Sequence, residues 1–352
     1  MRRKGAVVYA VICTLLLVAG LVACFYFAFR SGIAQTVACL CAFVVALILA
    51  PTVHETGHIL MAKRSGMKIL YAKFFCFQWK KKAGKLRFSL ASPFAPDQTQ
   101  VLPTYSENMQ KRAQAYTAGG LIFGGAFALL LTVFALLVFF LWKTDYFLFG
   151  LLPYAWYLFL LNAMPLEYAS GKTDALVYKG IKKGYPAEKN MLSAMQIHGE
   201  LFQGKSFAEI DEKLYFDLPV LCEDEPMFAV MLDLRYRYYL EKGDLQKAGE
   251  TLNRLAYIQC YLSDEERVKL AVELTFMHAV TDDLDNARKS AEACFEFLQQ
   301  EEIACKRALY YYAKKGGKVE EAEILLAQAK ELLQKEEIQG VKKSEEIILS
   351  AY

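Results

Sequence analysis

Residues 33–64 read IAQTVACLCAFVVALILAPTVHETGHILMAKR, and before Lys63 the only formally charged side chain among them is Glu55. About twenty apolar residues suffice for a helix to cross a bilayer, so 33–61 reads as a membrane span. In its last third lies His54-Glu55-Thr56-Gly57-His58. On a helix, residues i and i+4 share a face, so both imidazoles point the same way while Glu55 is turned about 100° from them. That pair can ligate one metal ion, and the Glu between reaches a metal-bound water without ligating. Lys63 comes nine residues after His54, or about 13 Å of helix, which leaves the motif inside the membrane. Ionisable groups there cost a few kcal/mol each unless paired, so a functional cluster explains the three together better than packing histidines do. Pro51 either kinks the span or is an ordinary membrane proline.

The surrounding chain has 352 residues with mean hydropathy +0.20. Its charge is divided: residues 1–179 hold 18 Lys/Arg against 6 Asp/Glu, and 180–352 hold 23 against 32. A basic, apolar half (1–180) thus joins an acidic, soluble half (181–352), and neither half suggests a disordered tail, a small disulfide scaffold or a nucleic-acid partner. Nine cysteines without a CxxC pair, four of them in apolar runs, are used as small hydrophobes.

Three further stretches match the span at 33–61: 6–29, 115–142 and 146–164. The first follows Arg2-Arg3-Lys4 but is too long for a signal peptide and reads as a retained helix. With the N-terminus inside, the short outer loops 30–32 and 143–145 hold 2 of the 18 basic residues. The positive-inside rule therefore expects a multi-pass cell-membrane protein with both termini cytosolic. Between the second and third spans, 69–79 and 86–90 have strand composition around a lysine-rich turn at 80–85, which predicts a β-hairpin over anionic headgroups at the inner face. Pro93, Pro96 and Pro103 break the chain before the third span.

A catalytic zinc site needs a third protein ligand and an open position. His198 and His278 lie in the soluble half, where they read as surface or packing residues. The missing ligand is then a carboxylate near the inner end of another span. The fourth span offers it: Asn162-Ala163-Met164-Pro165 is followed by Glu167 and Asp174. The second and fourth spans run in the same direction, so this segment emerges at the depth of His54 and His58. Glu167 and Asp174 both remain open, although Glu167 sits close to the helix-ending Pro165 and is the harder to carry back.

The intramembrane His54-Glu55-x-Gly57-His58 and the later Asn162-x-x-Pro165 segment followed by Asp174 resemble the site-2 protease family of intramembrane zinc metalloproteases. The glycines at 119–120 and 124–125 also look like that family's small-residue motif, though close helix packing through Gly120 and Gly124 explains them equally well. The resemblance covers about 33–180. It implies Zn2+ on His54, His58 and Asp174, Glu55 as general base, and Asn162 holding substrate backbone or the oxyanion. As a helix-terminal residue, Asn162 equally suits capping of carbonyls freed beside Pro165. Two departures stand out: Ala175 follows Asp174 where the family has glycine, and the Asn-to-Asp spacing is longer than usual.

After residue 179 the pattern is that of amphipathic helices. Segments 239–248, 278–287 and 313–322 each place a polar turn before Leu245, Leu284 or Val319 and an alanine three residues on. Their spacings of 39 and 35 residues resemble tetratricopeptide repeats, stacked helix pairs that bind peptides or proteins. The Glu/Lys-rich tail from Glu320 reads as a solvated helix face.

The fold expected is mainly α: a polytopic membrane helix bundle of about four spans with a small inner-face β-hairpin, followed by a soluble α-helical repeat domain. The function expected is a membrane zinc endopeptidase. Its partners would be the lipid bilayer, membrane-associated or small exported peptide substrates, and a protein on the repeats. The alternative is a catalytically silent membrane scaffold of the same fold. A transporter is disfavoured, since no pair of broken helices recurs.

Overall fold

The computed structural model describes residues 2–82, 85–92, 98–142, 146–169 and 171–352. Ala83 and Gly84 of the expected turn, Pro93, Pro96 and the expected outer loop 143–145 lie outside the described residues. The chain is mainly helical and divides into two compact units, Met1–Leu102 with Asn108–Glu188 and Pro103–Glu107 with Lys189–Tyr352.

In the first unit, α1 (Arg2–Arg30), α2 (Ile33–Arg64), α3 (Met109–Trp142) and α4 (Tyr146–Ala163) are long and apolar enough to cross a membrane. Their outer faces are bare hydrocarbon, with Phe29 70%, Leu130 67% and Phe140 74% exposed. Water-soluble surfaces rarely show that much contiguous apolar area. Helix α2 is the hub, packed on α1, α3 and α4. It runs through Pro51 without interruption.

Small residues make this packing close. Ala42, Ala46 and Ala50 of α2 are buried against Leu151, Ala128 and Ala155 of the neighbouring helices. Further along, Gly57 faces Gly119 of α3, and a Cβ on either would overlap the other's carbonyl group. Backbones approach this closely only where side chains are absent, which is the usual way membrane helices gain contact.

The segment between α2 and α3 is larger than a hairpin. It forms β1 (Met67–Phe74), β2 (Phe77–Lys82), β3 (Lys85–Leu90) and β4 (Gln98–Pro103), ordered β3-β2-β1-β4 in one sheet. The single strand expected at 69–79 is instead two strands, with Phe74 paired to Phe77 across a two-residue turn. Phe75 sits there at φ 54°, a left-handed conformation that costs a non-glycine residue about 1 kcal/mol. The strand at 86–90 is present and pairs with β2.

After α4, Pro165 is followed by a second, two-stranded hairpin, β5 (Glu167–Tyr168) and β6 (Gly171–Lys172), with Glu167 opposite Lys172. It leads directly into α5 (Asp174–Lys183), which packs on α3. Thr173 caps α5: its hydroxyl accepts from Leu176 N and donates to Met164 O at 2.7 Å.

The second unit takes in α6 (Pro186–Phe202) from Lys189 on, α7 (Lys213–Phe216), α8 (Pro226–Glu241), α9 (Leu245–Tyr257), α10 (Asp264–Val280) and α11 (Leu284–Ala293). The short α12 (Phe295–Leu298), α13 (Ile303–Lys315), α14 (Val319–Gln334) and α15 (Gln339–Ala351) complete it. Helix α8 packs on α9, α10 on α11 and α13 on α14, while α10 also packs on α13. Each pair is joined by a turn with one left-handed residue, Gly243, Asp282 or Gly317. Beyond each turn an alanine (Ala248, Ala287, Ala322) is buried where the helices meet. All nine cysteines are free thiols.

A charged network lies inside this second unit. The Arg307 guanidinium donates to both oxygens of Glu273 at 2.7 and 2.8 Å, lies 3.2 Å from Glu345, and stacks 4.4 Å from the Phe276 ring centre. Tyr236 adds a hydroxyl donor to Glu273 at 2.8 Å. Arg307 is 1% exposed, so Arg307→Met leaves two buried carboxylates without their main cation. The expected loss is about 3–5 kcal/mol, read as a lowered unfolding midpoint of the full chain in detergent. A change below about 1 kcal/mol would mean that the network is dispensable.

His198 lies against Asp233 and Arg237; burial pushes its imidazole down to about 4, Asp233 opposing this and Arg237 adding to it. The folded chain therefore holds fewer protons than the unfolded one between that value and about 6.5. Stability from neutral His198 is complete above about 6.5 and is lost as pH falls toward 4. His198→Gln should flatten this acid limb in a series of unfolding midpoints against pH; an unchanged limb would exclude His198 as its source.

Candidate metal centre

The buried stripe of α2 continues past its alanines at four-residue steps: Ala42, Ala46, Ala50, then His54, His58 and Ala62, all buried. The imidazoles thus occupy the line along which α2 faces its neighbours, away from the lipid-like surface. Spacing of four on one helix brings their rings to 5.0 Å between centres.

Asp174, the first residue of α5, meets them. Its Oδ2 lies 3.0 Å from His54 Nε2 and 3.2 Å from His58 Nε2. One ligand atom from each of the three residues fits within 4.8 Å of the others. The β5–β6 hairpin explains the long spacing from Asn162: the extra residues reverse the chain and return the carboxylate to the end of α4. Glu167, the alternative, is exposed within that hairpin and is not part of the cluster.

The protonation of the cluster follows from its hydrogen bonds. His58 Nδ1 lies 2.9 Å from the Tyr116 carbonyl oxygen, which only accepts, so Nδ1 carries a proton. His58 Nε2 then needs a second proton, or a cation in its place, to face a carboxylate at 3.2 Å. Burial raises the affinity of Asp174 for protons, but hydrogen bonds from both imidazoles outweigh it and hold the carboxyl below the usual range.

Glu55 points elsewhere, as its place on the helix requires. It accepts a hydrogen bond from the Thr99 hydroxyl of β4 at 2.5 Å. Tyr116 closes the loop: its hydroxyl donates to the Thr99 carbonyl, while its own carbonyl receives His58. Thr99 and Tyr116 were not among the residues expected from sequence. A strand with no long apolar run gave no sign of β4, and Tyr116 looks like any aromatic residue near a membrane border.

All these groups open on a cavity of about 450 Å³ between α2, α3, α4, β4 and α5. Asn162 lines it as well, while its amide donates to Leu158 O at 3.2 Å; it therefore both tethers a carbonyl of its own helix and borders the cavity. Lys172 lies on the same cavity, 3.3 Å from Glu188.

The glycines of α3 divide their tasks. Gly119 makes the close helix contact, whereas a Cβ on Gly120 would overlap His58 Nε2 and come within 2.7 Å of His54 Nε2. Gly120 thus leaves room where the nitrogens converge, and a Cβ on Gly124 would lie 3.4 Å from His54 Nδ1. Backbone-to-backbone contact with α2 is made at Gly119, while Gly120 and Gly124 pack on the imidazoles of α2 and Gly125 on the Phe159 ring.

No protein-family model, curated protein or solved structure matches this chain. The chemistry of the site therefore rests on its own geometry. Gly120→Val should abolish retention of a divalent ion by the purified full-length chain while helical circular dichroism persists. Metal analysis by mass spectrometry checks it; full retention would place any ion elsewhere.

Proposed function

We propose that the chain is an intramembrane zinc endopeptidase of the site-2 protease type, acting on membrane-associated or small exported peptides. The observation that carries this is the convergence of His54 Nε2, His58 Nε2 and Asp174 Oδ2 on one point, with Glu55 beside them on a shared cavity.

The donor set suits zinc: two neutral imidazoles and one carboxylate, with the His58 tautomer set by Tyr116 O. The space that Gly120 leaves open accommodates an ion between the nitrogens. A dication with Asp174 and Glu55 ionised would also make the buried site neutral, which an apolar bundle favours. Zinc held by His54, His58 and Asp174 would supply an activated water and polarise the scissile carbonyl. Glu55 would accept the proton of the attacking water and pass it to the departing amine. Thr99, donating to Glu55, orients the carboxylate for this transfer. Asn162 holds substrate backbone or the developing oxyanion from across the cavity.

A peptide bond is reached only in an unwound segment. Strand β4 supplies the means: it ends the sheet order, and its Gln98 and Thr99 line the cavity. An extended substrate can add to that strand. Gln98 and Thr99 of β4 are the sheet residues that line the cavity. The basic inner loops favour cytosolic termini and a site within the membrane near its cytosolic face.

The helix pairs of the second unit, with their matching turns, fit a tetratricopeptide-like array. A cavity of about 450 Å³ there, lined by Leu252, Leu255 and Leu262 with Asp233, Arg237 and Glu273, suits a protein or peptide partner.

His54→Ala should lose the roughly one zinc per chain that the intact protein carries. Glu55→Gln should keep the metal and lose about 10²–10⁴-fold in turnover. Comparing membrane peptides from cells with the intact chain and with Glu55→Gln reads this directly. Identical peptide profiles with bound metal would favour the silent scaffold instead.

A further inference from the structure

The cavity of about 450 Å³ in the second unit lies between α8, α9, α10 and the start of α13, within the range of about 300–1,000 Å³ usual for ligand pockets. Leu252, Leu255, Leu262 and Leu270 form its walls, and none is more than 8% exposed. Protein interiors leave few voids larger than a water molecule, so an opening of this size into a leucine core is more than packing requires. It suits a large apolar side chain supplied from outside.

Charge around the cavity says what accompanies that side chain. The lining includes Asp233, Glu266, Glu273 and Glu302 against Arg237 and Lys269. Both cations are already engaged: Arg237 lies 3.0 Å from Asp233 and 3.7 Å from Glu273, and Lys269 donates to Glu265 at 2.8 Å. Glu266 and Glu302 are exposed, and neither has an ion-pair partner among the described residues. Glu266 accepts from Ser263 N and Oγ at 2.8 and 2.6 Å, bonds that fix the carboxylate without cancelling its charge. An acidic guest would be repelled here, whereas a basic one completes the set. Residues 180–352 as a whole, with 32 Asp/Glu against 23 Lys/Arg, attract the same kind of partner.

We propose that this cavity binds a peptide segment in which a large apolar residue adjoins Lys or Arg, and that the segment is the cytosolic flank of the substrate's own membrane span. The apolar side chain enters the leucine-lined space, and the neighbouring cations meet Glu266 and Glu302. Apolar spans carry their excess of Lys/Arg on the cytosolic side, so a membrane-crossing peptide presents this combination there. That the guest is substrate rests on the protease reading; the preference for a basic, apolar segment does not.

The test measures fluorescence anisotropy of short labelled peptides with the full-length chain in phosphatidylcholine nanodiscs, empty nanodiscs giving the background. One peptide joins Lys-Arg-Lys to Leu-Phe-Leu, a second has Glu at the three basic positions, and a third has Ser at the three apolar ones. The first should bind, and the other two should bind about fivefold or more weaker. Glu266→Gln and Glu302→Gln should each weaken binding of the first about two- to fivefold, a loss that shrinks as salt is added. Ala229→Phe, which fills part of the cavity, should act in the same direction, with the unfolding midpoint reporting that the unit still folds. Equal binding of the acidic and basic peptides, or unchanged binding in Glu266→Gln and Glu302→Gln, would overturn the proposal. Binding as expected, with membrane peptides that do not differ between the intact chain and Glu55→Gln, would uphold the basic, apolar preference and remove the protease reading. Glu55-dependent cleavage by a chain that binds none of the three peptides would overturn the proposal and leave the protease reading in place.

Discussion

Ionised groups inside an apolar helix bundle must have their charge cancelled within a few ångströms, because apolar surroundings screen it weakly. The site between α2, α3, α4 and α5 is built around that requirement. Asp174 reaches two imidazole nitrogens with one oxygen. His58 Nδ1–H donates to the Tyr116 carbonyl, and the Thr99 hydroxyl donates to Glu55. Gly119 brings α3 close enough for these bonds, and Gly120 keeps the meeting point clear. Small residues elsewhere on α2 serve the same end by fixing its distance from α3 and α4.

Much of this was legible in the sequence. The four spans, their order and the two imidazoles of one helix face follow from apolar run length and helical period, and both survive any change in detail. The meeting of Asp174 with His54 and His58 followed from parity: the second and fourth spans run the same way, so their ends share a depth. The alanine stripe at 42, 46 and 50 was also available as a signal. Its four-residue step runs on through His54 and His58, which would have announced that the imidazoles face the bundle.

Other features had no local signature. The turn at Phe75-Cys76 contains neither glycine nor asparagine, so composition alone reads straight through it. Tertiary packing overrides local preference there and holds Phe75 left-handed. Strand β4 is short, with burial alternating and then closing at Leu102 and Pro103, and its partner β1 is more than twenty residues away in sequence. Thr99 and Tyr116 acquire their roles only from that pairing. The β5–β6 hairpin shows how an unusual Asn-to-Asp interval remains compatible with a converging carboxylate: added length is spent on reversing the chain.

The two units also bury charge in different ways, and the contrast separates support from chemistry. In the second, Glu273 and Glu345 face Arg307, whose guanidinium is a permanent cation of fixed geometry. Arg237, 3.7 Å from Glu273, adds a second guanidinium, so permanent side-chain cations of this unit balance the two carboxylates. In the first, the cavity brings together Glu55, Asp174 and two imidazoles. Among the described residues lining it, the permanent cation is Lys172, and that ammonium lies against Glu188. Facing Asp174 are two imidazoles, on which protons, or a metal ion between them, would supply the positive charge. Buried carboxylates that face titratable imidazoles beside an open cavity are the arrangement on which the proposed metal chemistry depends.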